Sequence, residues 1–156
     1  ADMTIMEEAT ELIESNFNNG PFPMLTSCPI IGYEKLKTTA YNYYKIASTA
    51  KSPQQIFGCA SISYYPQVAD IHGNLVFRVT VLPCSSYKFE ADRREMQNEG
   101  ITNIDCVITS RDSGRMIYPA IIDFAKLEDS VDVQLSVRIS GGGVIFGASR
   151  GDMEAA

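Results

Sequence analysis

One histidine, no tryptophan and no Cys-x-x-Cys pair leave this chain of 156 residues short of the groups that most often carry catalysis or hold metal. Its apolar runs fall well short of the roughly 18 residues of a membrane span. A charged n-region leading into an apolar h-region is missing at the start, so a signal peptide is not read there, and Ala1 as first residue leaves the compartment open. Basic residues are the minority: 13 Lys+Arg against 19 Asp+Glu give a formal charge of −6, which removes the footprint of a general nucleic-acid binder. Internal repeats and dividing linkers are absent, and no motif implies a cofactor. What remains is of ordinary globular composition, 45% hydrophobic and 21% charged, and this excludes disorder. The length suits one domain over residues 1–156, long enough to fold without a metal or disulfide staple.

The four cysteines stand at 28, 59, 84 and 106. Cys59 and Cys106 lie in apolar stretches, where a thiol behaves as a small buried hydrophobe, so free thiols are favoured over two disulfides. The lone histidine is out of register with all four, which weakens a zinc reading.

Apolar spacing over Ile5, Ala9, Leu12, Ile13 and Phe17 predicts a helix over 4–17, capped by Thr4 with Glu7 at the capping-box position. Residues 33–50 carry a second stripe (Leu36, Ala40, Tyr43, Tyr44, Ala47), which length favours as helix although Thr and Tyr also suit a strand. From residue 55 the period changes to two. Strands are expected over 56–65, 75–82, 101–110, 115–124, 131–139 and 144–146, with a short polar helix over 90–99. The expected fold class is α+β: N-terminal helices (about 4–50) packed on a mainly antiparallel sheet of five to six strands (about 55–149), one short inserted helix, and a loose tail over 150–156.

Candidate chemistry is thin. Cys84, at a strand end beside Pro83 and Ser85, is the best thiol, but its only imidazole partner would be His72, which precedes Gly73-Asn74 as an exposed turn residue does. Asp105 and Asp123 could pair across strands, yet both alternate with apolar neighbours as solvent-facing carboxylates do. Gly141-Gly142-Gly143 resembles a phosphate cradle only if a helix follows, and a hairpin into a strand is expected instead. Arg93, Arg94, Arg111 and Arg115 could contact an anion, although acidic neighbours favour internal pairing.

Eight tyrosines are the least ordinary feature, and Tyr41, Tyr43 and Tyr44 cannot all face inward from one helix. With Val144, Ile145 and Phe146 as an uncharged terminal edge strand, they point to contact surfaces. The favoured function is therefore a non-enzymatic, self-associating structural, assembly or adaptor protein, such as a virion or secretion-apparatus component. Its expected partner is another copy or another protein. The alternative is a small-ligand-binding α+β domain whose apolar pocket uses Tyr64, Tyr87 or Tyr118. An enzyme built on Cys84 with His72, or Asp105 with Asp123, ranks third.

Overall fold

The computed structural model describes residues 1–26, 37–98, 100–130, 140–148 and 151–155. In chain order the elements are α1 (Asp2–Phe17), α2 (Tyr41–Tyr44), α3 (Pro53–Ser63), α4 (Tyr65–Ala69), β1 (Val79–Leu82), α5 (Ser86–Ala91), β2 (Gln97–Asn98), β3 (Ile101–Thr102), β4 (Cys106–Thr109), α6 (Ser110–Ile117), α7 (Gly141–Phe146) and α8 (Gly151–Ala155). Short 3-10 turns fall at Gly73–Leu75, Arg94–Met96 and Phe124–Lys126.

This is not a five-to-six-strand antiparallel sheet. Among the described residues β1 pairs with β4 in parallel, and β2 pairs with β3 in a two-residue antiparallel ribbon. The strand expected over 56–65 is helix α3. Ser52 caps it by accepting the Gln55 N–H at 3.3 Å, and Pro53 occupies the first turn, where its missing N–H costs nothing. Lys51-Ser52-Pro53 therefore opens a helix. Pro66 likewise stands in the first turn of α4. The expected strand over 115–124 is absent: residues 115–117 belong to α6 and 118–124 run through turns into the 3-10 turn at Phe124. A capping box nucleates α6: Thr109 Oγ1 accepts the Asp112 N–H at 3.1 Å, and Asp112 accepts the Thr109 N–H at 3.0 Å. Gly141 to Phe146 is helix α7, capped by Ser140, so the glycine hairpin and edge strand are both corrected. The inserted helix begins earlier than the polar pattern suggested, at Ser86. The strand expected over 131–139 lies outside the described residues, as do Cys28 and residues 27–36 of the connector and second helix. Helix 4–17 is present and starts earlier, at Asp2, which places Thr4 inside it and buried rather than capping.

The chain forms two compact units. In the first (1–59 with 139–156), α1 is the organising strut. Its Glu11 carboxylate accepts from the Ser48 hydroxyl and from the Thr49 N–H and Oγ1 at 3.0 Å, and so holds the extended segment after α2. Partial burial pushes this carboxyl up, but the hydrogen bonds from Ser48 and Thr49 outweigh it and hold it below the usual range. At the other end of α1, Asp2 accepts from the Ser140 N–H and hydroxyl, tying α1 to the cap of α7. Helices α7 and α8 pack so closely that a Cβ on Gly151 would lie 1.8 Å from the Ile145 carbonyl oxygen.

In the second unit (60–138), β1 and β4 pair in the register Val79↔Cys106 to Leu82↔Thr109. The residue before each strand sets that register. Arg78 donates from Nε and Nη2 to Asp105 at 2.7 and 2.9 Å, its backbone N–H donates to the same carboxylate at 2.7 Å, and its carbonyl accepts the Asp105 and Cys106 N–H groups at 3.1 Å. The Arg78 guanidinium holds the Asp105 carboxyl below its usual range against the opposing effect of burial. The alternation over 75–82 is thus inverted relative to expectation: Arg78 is buried, whereas Leu75, Phe77, Val79 and Val81 are exposed. The large buried apolar side chains among the described residues are Met24, Tyr87, Ile104 and Phe146, a thin core beside many exposed aromatics and aliphatics. None of the described helices is long and apolar enough to cross a membrane.

Removing one partner of a buried bidentate pair strands the other charge, so Asp105→Ala is expected to destabilise the fold by about 3 kcal/mol, read from the urea midpoint. Because Asp105 has a depressed folded pKa, its contribution is present above the unfolded value of about 3.9 and is lost as pH falls through the folded one. The wild-type midpoint should therefore drop more steeply below about pH 4 than that of Asp105→Asn. Gly151→Ala is expected to cost about 1–3 kcal/mol by forcing α7 and α8 apart, visible in thermal unfolding.

Candidate functional site

Both parallel strands lead into a helix, β1 into α5 through residues 83–85 and β4 directly into α6. The carboxyl ends of neighbouring parallel strands are where α/β sheets place ligands, because backbone groups and helix starts converge there. Here the first corner is the turn Pro83-Cys84-Ser85, and the second is Thr109, the last residue of β4 and the N-cap of α6.

Cys84 is a free, half-buried thiol whose Sγ lies 3.0 Å from the Ser86 Oγ. The Ser86 hydroxyl and its backbone N–H both favour the thiolate and lower the thiol pKa from its ordinary value, against a smaller effect of burial. Cys59, on α3 rather than on a strand, and Cys106, on β4, are also free thiols of intermediate exposure. No group of three or more His, Cys, Asp or Glu side chains stands close enough to hold a metal among the described residues.

Beside the Cys84 turn, a cleft of about 360 Å³ is lined by Pro83 and Ser85 from the first corner and by Thr109 and Asp112 from the second. Three cations, Lys88, Arg111 and Arg115, complete the lining. Lys88 Nζ donates to Asp112 at 2.7 Å, and this bond with those from Thr109 pushes the Asp112 carboxyl far below its usual range. Arg111 and Arg115, two of the four arginines that could contact an anion, are one helical turn apart on α6 and line one cleft. Arg93 and Arg94 do not line it; Arg93 pairs with Glu95 at 3.2 Å. Lys88 went unnoticed in sequence because only the fold brings it 24 residues along the chain to Asp112.

The remaining candidates separate. His72 is exposed ahead of a 3-10 turn. Asp105 belongs to Arg78, while Asp123 caps the turn at Phe124–Lys126 and pairs with Lys126 at 3.0 Å, so the two carboxylates serve different local structures. Tyr41 and Tyr43 are exposed, and the Tyr41 ring stacks on Tyr44 with centroids 6.0 Å apart. Val144 and Ile145 are exposed on α7 while Phe146 is buried, as helix periodicity rather than strand alternation requires. Of the tyrosines assigned to an apolar pocket, Tyr64 and Tyr118 are exposed and Tyr87 is buried in α5.

Comparison with known proteins places these features. The chain is 54% identical over 160 residues to iron hydrogenase 1 of Clostridium pasteurianum, covering all of this chain and 27% of that protein. It is 36% identical to the periplasmic [Fe] hydrogenase large subunit of Nitratidesulfovibrio vulgaris, covering all of this chain and 38% of that one. A probable cytosolic Fe-S cluster assembly factor of Aedes aegypti is 32% identical over 79% of the chain. Among solved structures, apo [FeFe]-hydrogenase HydA1 from Chlamydomonas reinhardtii superposes with a TM-score of 0.84 at 30% identity, over 98% of this chain and 39% of that one. The chain thus spans between about a quarter and two fifths of the length of these relatives. They overturn the expectation of a non-enzymatic structural, assembly or adaptor protein, and with it the apolar-pocket alternative, since these relatives are iron enzymes and iron–sulfur assembly factors. The family model described as iron only hydrogenase large subunit, C-terminal domain, matches residues 1–156, and the chain belongs to that family.

Proposed function

We propose that this chain forms part of the iron-bearing domain of a hydrogenase, with the Cys84 thiolate as one iron ligand. The observation that carries the reading is the environment of Cys84: a thiol at the carboxyl end of a parallel strand, with its thiolate favoured by the hydroxyl and N–H of Ser86. Thiolate is the form in which cysteine ligates iron, so the donor fits the group. Cys84 would supply one ligand of an iron–sulfur group, alongside other donors. When bound, an iron–sulfur group supplies electron transfer and a site for hydrogen chemistry.

The chain's own residues prepare that position. The Arg78–Asp105 pair registers β1 against β4 and so fixes where the Pro83-Cys84-Ser85 turn emerges. Ser86, at the first residue of α5, holds the sulfur and keeps its proton weakly bound. The exposed apolar row Leu75, Phe77, Val79 and Val81 is the kind of surface that further polypeptide of a larger domain would cover. Identity of 54% to an iron hydrogenase against 32% to an assembly factor favours the hydrogenase reading over a non-catalytic one.

The test is anaerobic reconstitution of the protein with iron and sulfide. Wild type is expected to take up iron with thiolate-to-iron charge-transfer absorbance, and Cys84→Ser to lose most of it; equal loading of the two would refute the assignment. In the apo protein, Ser86→Ala removes a hydrogen bond worth about 1 kcal/mol to the thiolate. Alkylation of Cys84 by iodoacetamide at neutral pH should then slow about fivefold, with the pH midpoint of the reaction moved upward.

A further inference from the structure

We propose that the cleft between α5 and α6 is a binding site for a tetrahedral oxyanion of the phosphate class, held chiefly by Arg111 and Arg115. The site lies at the carboxyl ends of β1 and β4, the ligand-binding edge of a parallel sheet, and Cys84 is not among the residues that line it. Charge gives the first argument. Lys88 is satisfied by Asp112, and the Asp112 carboxylate is in turn neutralised by Lys88 and used by the Thr109 N–H. Arg111 and Arg115 have no ion-pair partner among the described residues. Two like charges at i,i+4 on one helix repel, and on a chain with a net charge of −6 an uncompensated cationic pair is the local exception.

Geometry gives the second argument. A guanidinium presents its donors as a planar fork that two oxygens of one anion satisfy together. A carboxylate offers only two oxygens and is filled by one fork. A phosphate-class anion has enough oxygens to meet both forks and also accept from the Ser85 and Thr109 hydroxyls that line the same cleft. The backbone at the start of α6 is already closed by its capping box, so the side chains, not the helix terminus, are the recognition elements. A volume of about 360 Å³ admits the free anion or its ester, as on a nucleotide.

Calorimetric titration of inorganic phosphate into the intact protein, at ionic strength fixed with chloride, tests this. Saturable binding is expected, weakened about tenfold or more in R111Q/R115Q and unchanged in R94Q/K126Q, which removes the same charge outside the cleft. Non-saturable heats, or equal weakening in both double variants, would overturn the proposal by showing a general charge effect. Should R111Q/R115Q fail to fold by circular dichroism, R111K/R115K keeps the charge and loses the forks. About fivefold weaker binding is then expected, and unaltered affinity would refute the site. A parallel titration with adenosine 5′-monophosphate identifies the source: tighter binding than inorganic phosphate marks an esterified ligand, and equal or weaker binding marks the free anion. Iron loading is not part of the readout, so this result and that for Cys84 stand or fall separately.

Discussion

The bidentate contact between Arg78 and Asp105 is the constraint on which the sheet-bearing unit depends. Neither residue lies in a strand; each immediately precedes one, and five hydrogen bonds lock the two backbones together at that point. A parallel pair has no hairpin to set its register, so register must come from elsewhere. Once these two residues are joined, Leu82 falls opposite Thr109, and the two strand-to-helix corners emerge side by side. The thiol of Cys84 and the basic cleft both stand at those corners. Desolvation of the pair is costly, and the excellent geometry offsets it.

Caps do comparable work at smaller scale. Ser52, Thr109 and Ser140 each accept a backbone N–H three residues on and thereby start a helix. In a sequence such residues sit at a boundary that can be assigned to either side. Lys51-Ser52-Pro53 is equally an end and a beginning, and Asp112-Ser113-Gly114 has turn chemistry although a capping box from Thr109 absorbs it. This ambiguity converted helices α3, α6 and α7 into expected strands. Short segments rich in Ile, Val, Phe and Tyr are compatible with either element, because a brief apolar run does not show its period.

The exposed apolar side chains separate what a strand pattern encodes from what it leaves open. Leu75, Phe77, Val79 and Val81 alternate as a buried strand face should, yet they are exposed, while Arg78 is inside. Alternation reports that one face is apolar; it does not report what covers it. The relatives that share this fold are much longer than the chain. The early tyrosines and the uncharged terminal stretch, which suggested self-association, are of the same kind: Tyr41 and Tyr43 are exposed, and Val144 and Ile145 are the outer face of a helix whose inner face is Phe146.

What the sequence determined by itself was local. The first helix follows from apolar spacing, and Cys84 could be singled out as a thiol at a strand end because Leu82-Pro83-Cys84-Ser85 carries that boundary in its residue types. The arginines at 111 and 115 were visible as a pair because they are four residues apart. The tertiary structure decided everything that joins distant residues. It brought Lys88 to Asp112, gave Asp105 to Arg78 rather than to Asp123, and set β1 parallel to β4 across a connection that no turn signal can specify. Periodicity encodes which face is apolar, and short-range chemistry encodes caps, but parallel pairing and ion pairs across some 25 residues depend on long-range packing.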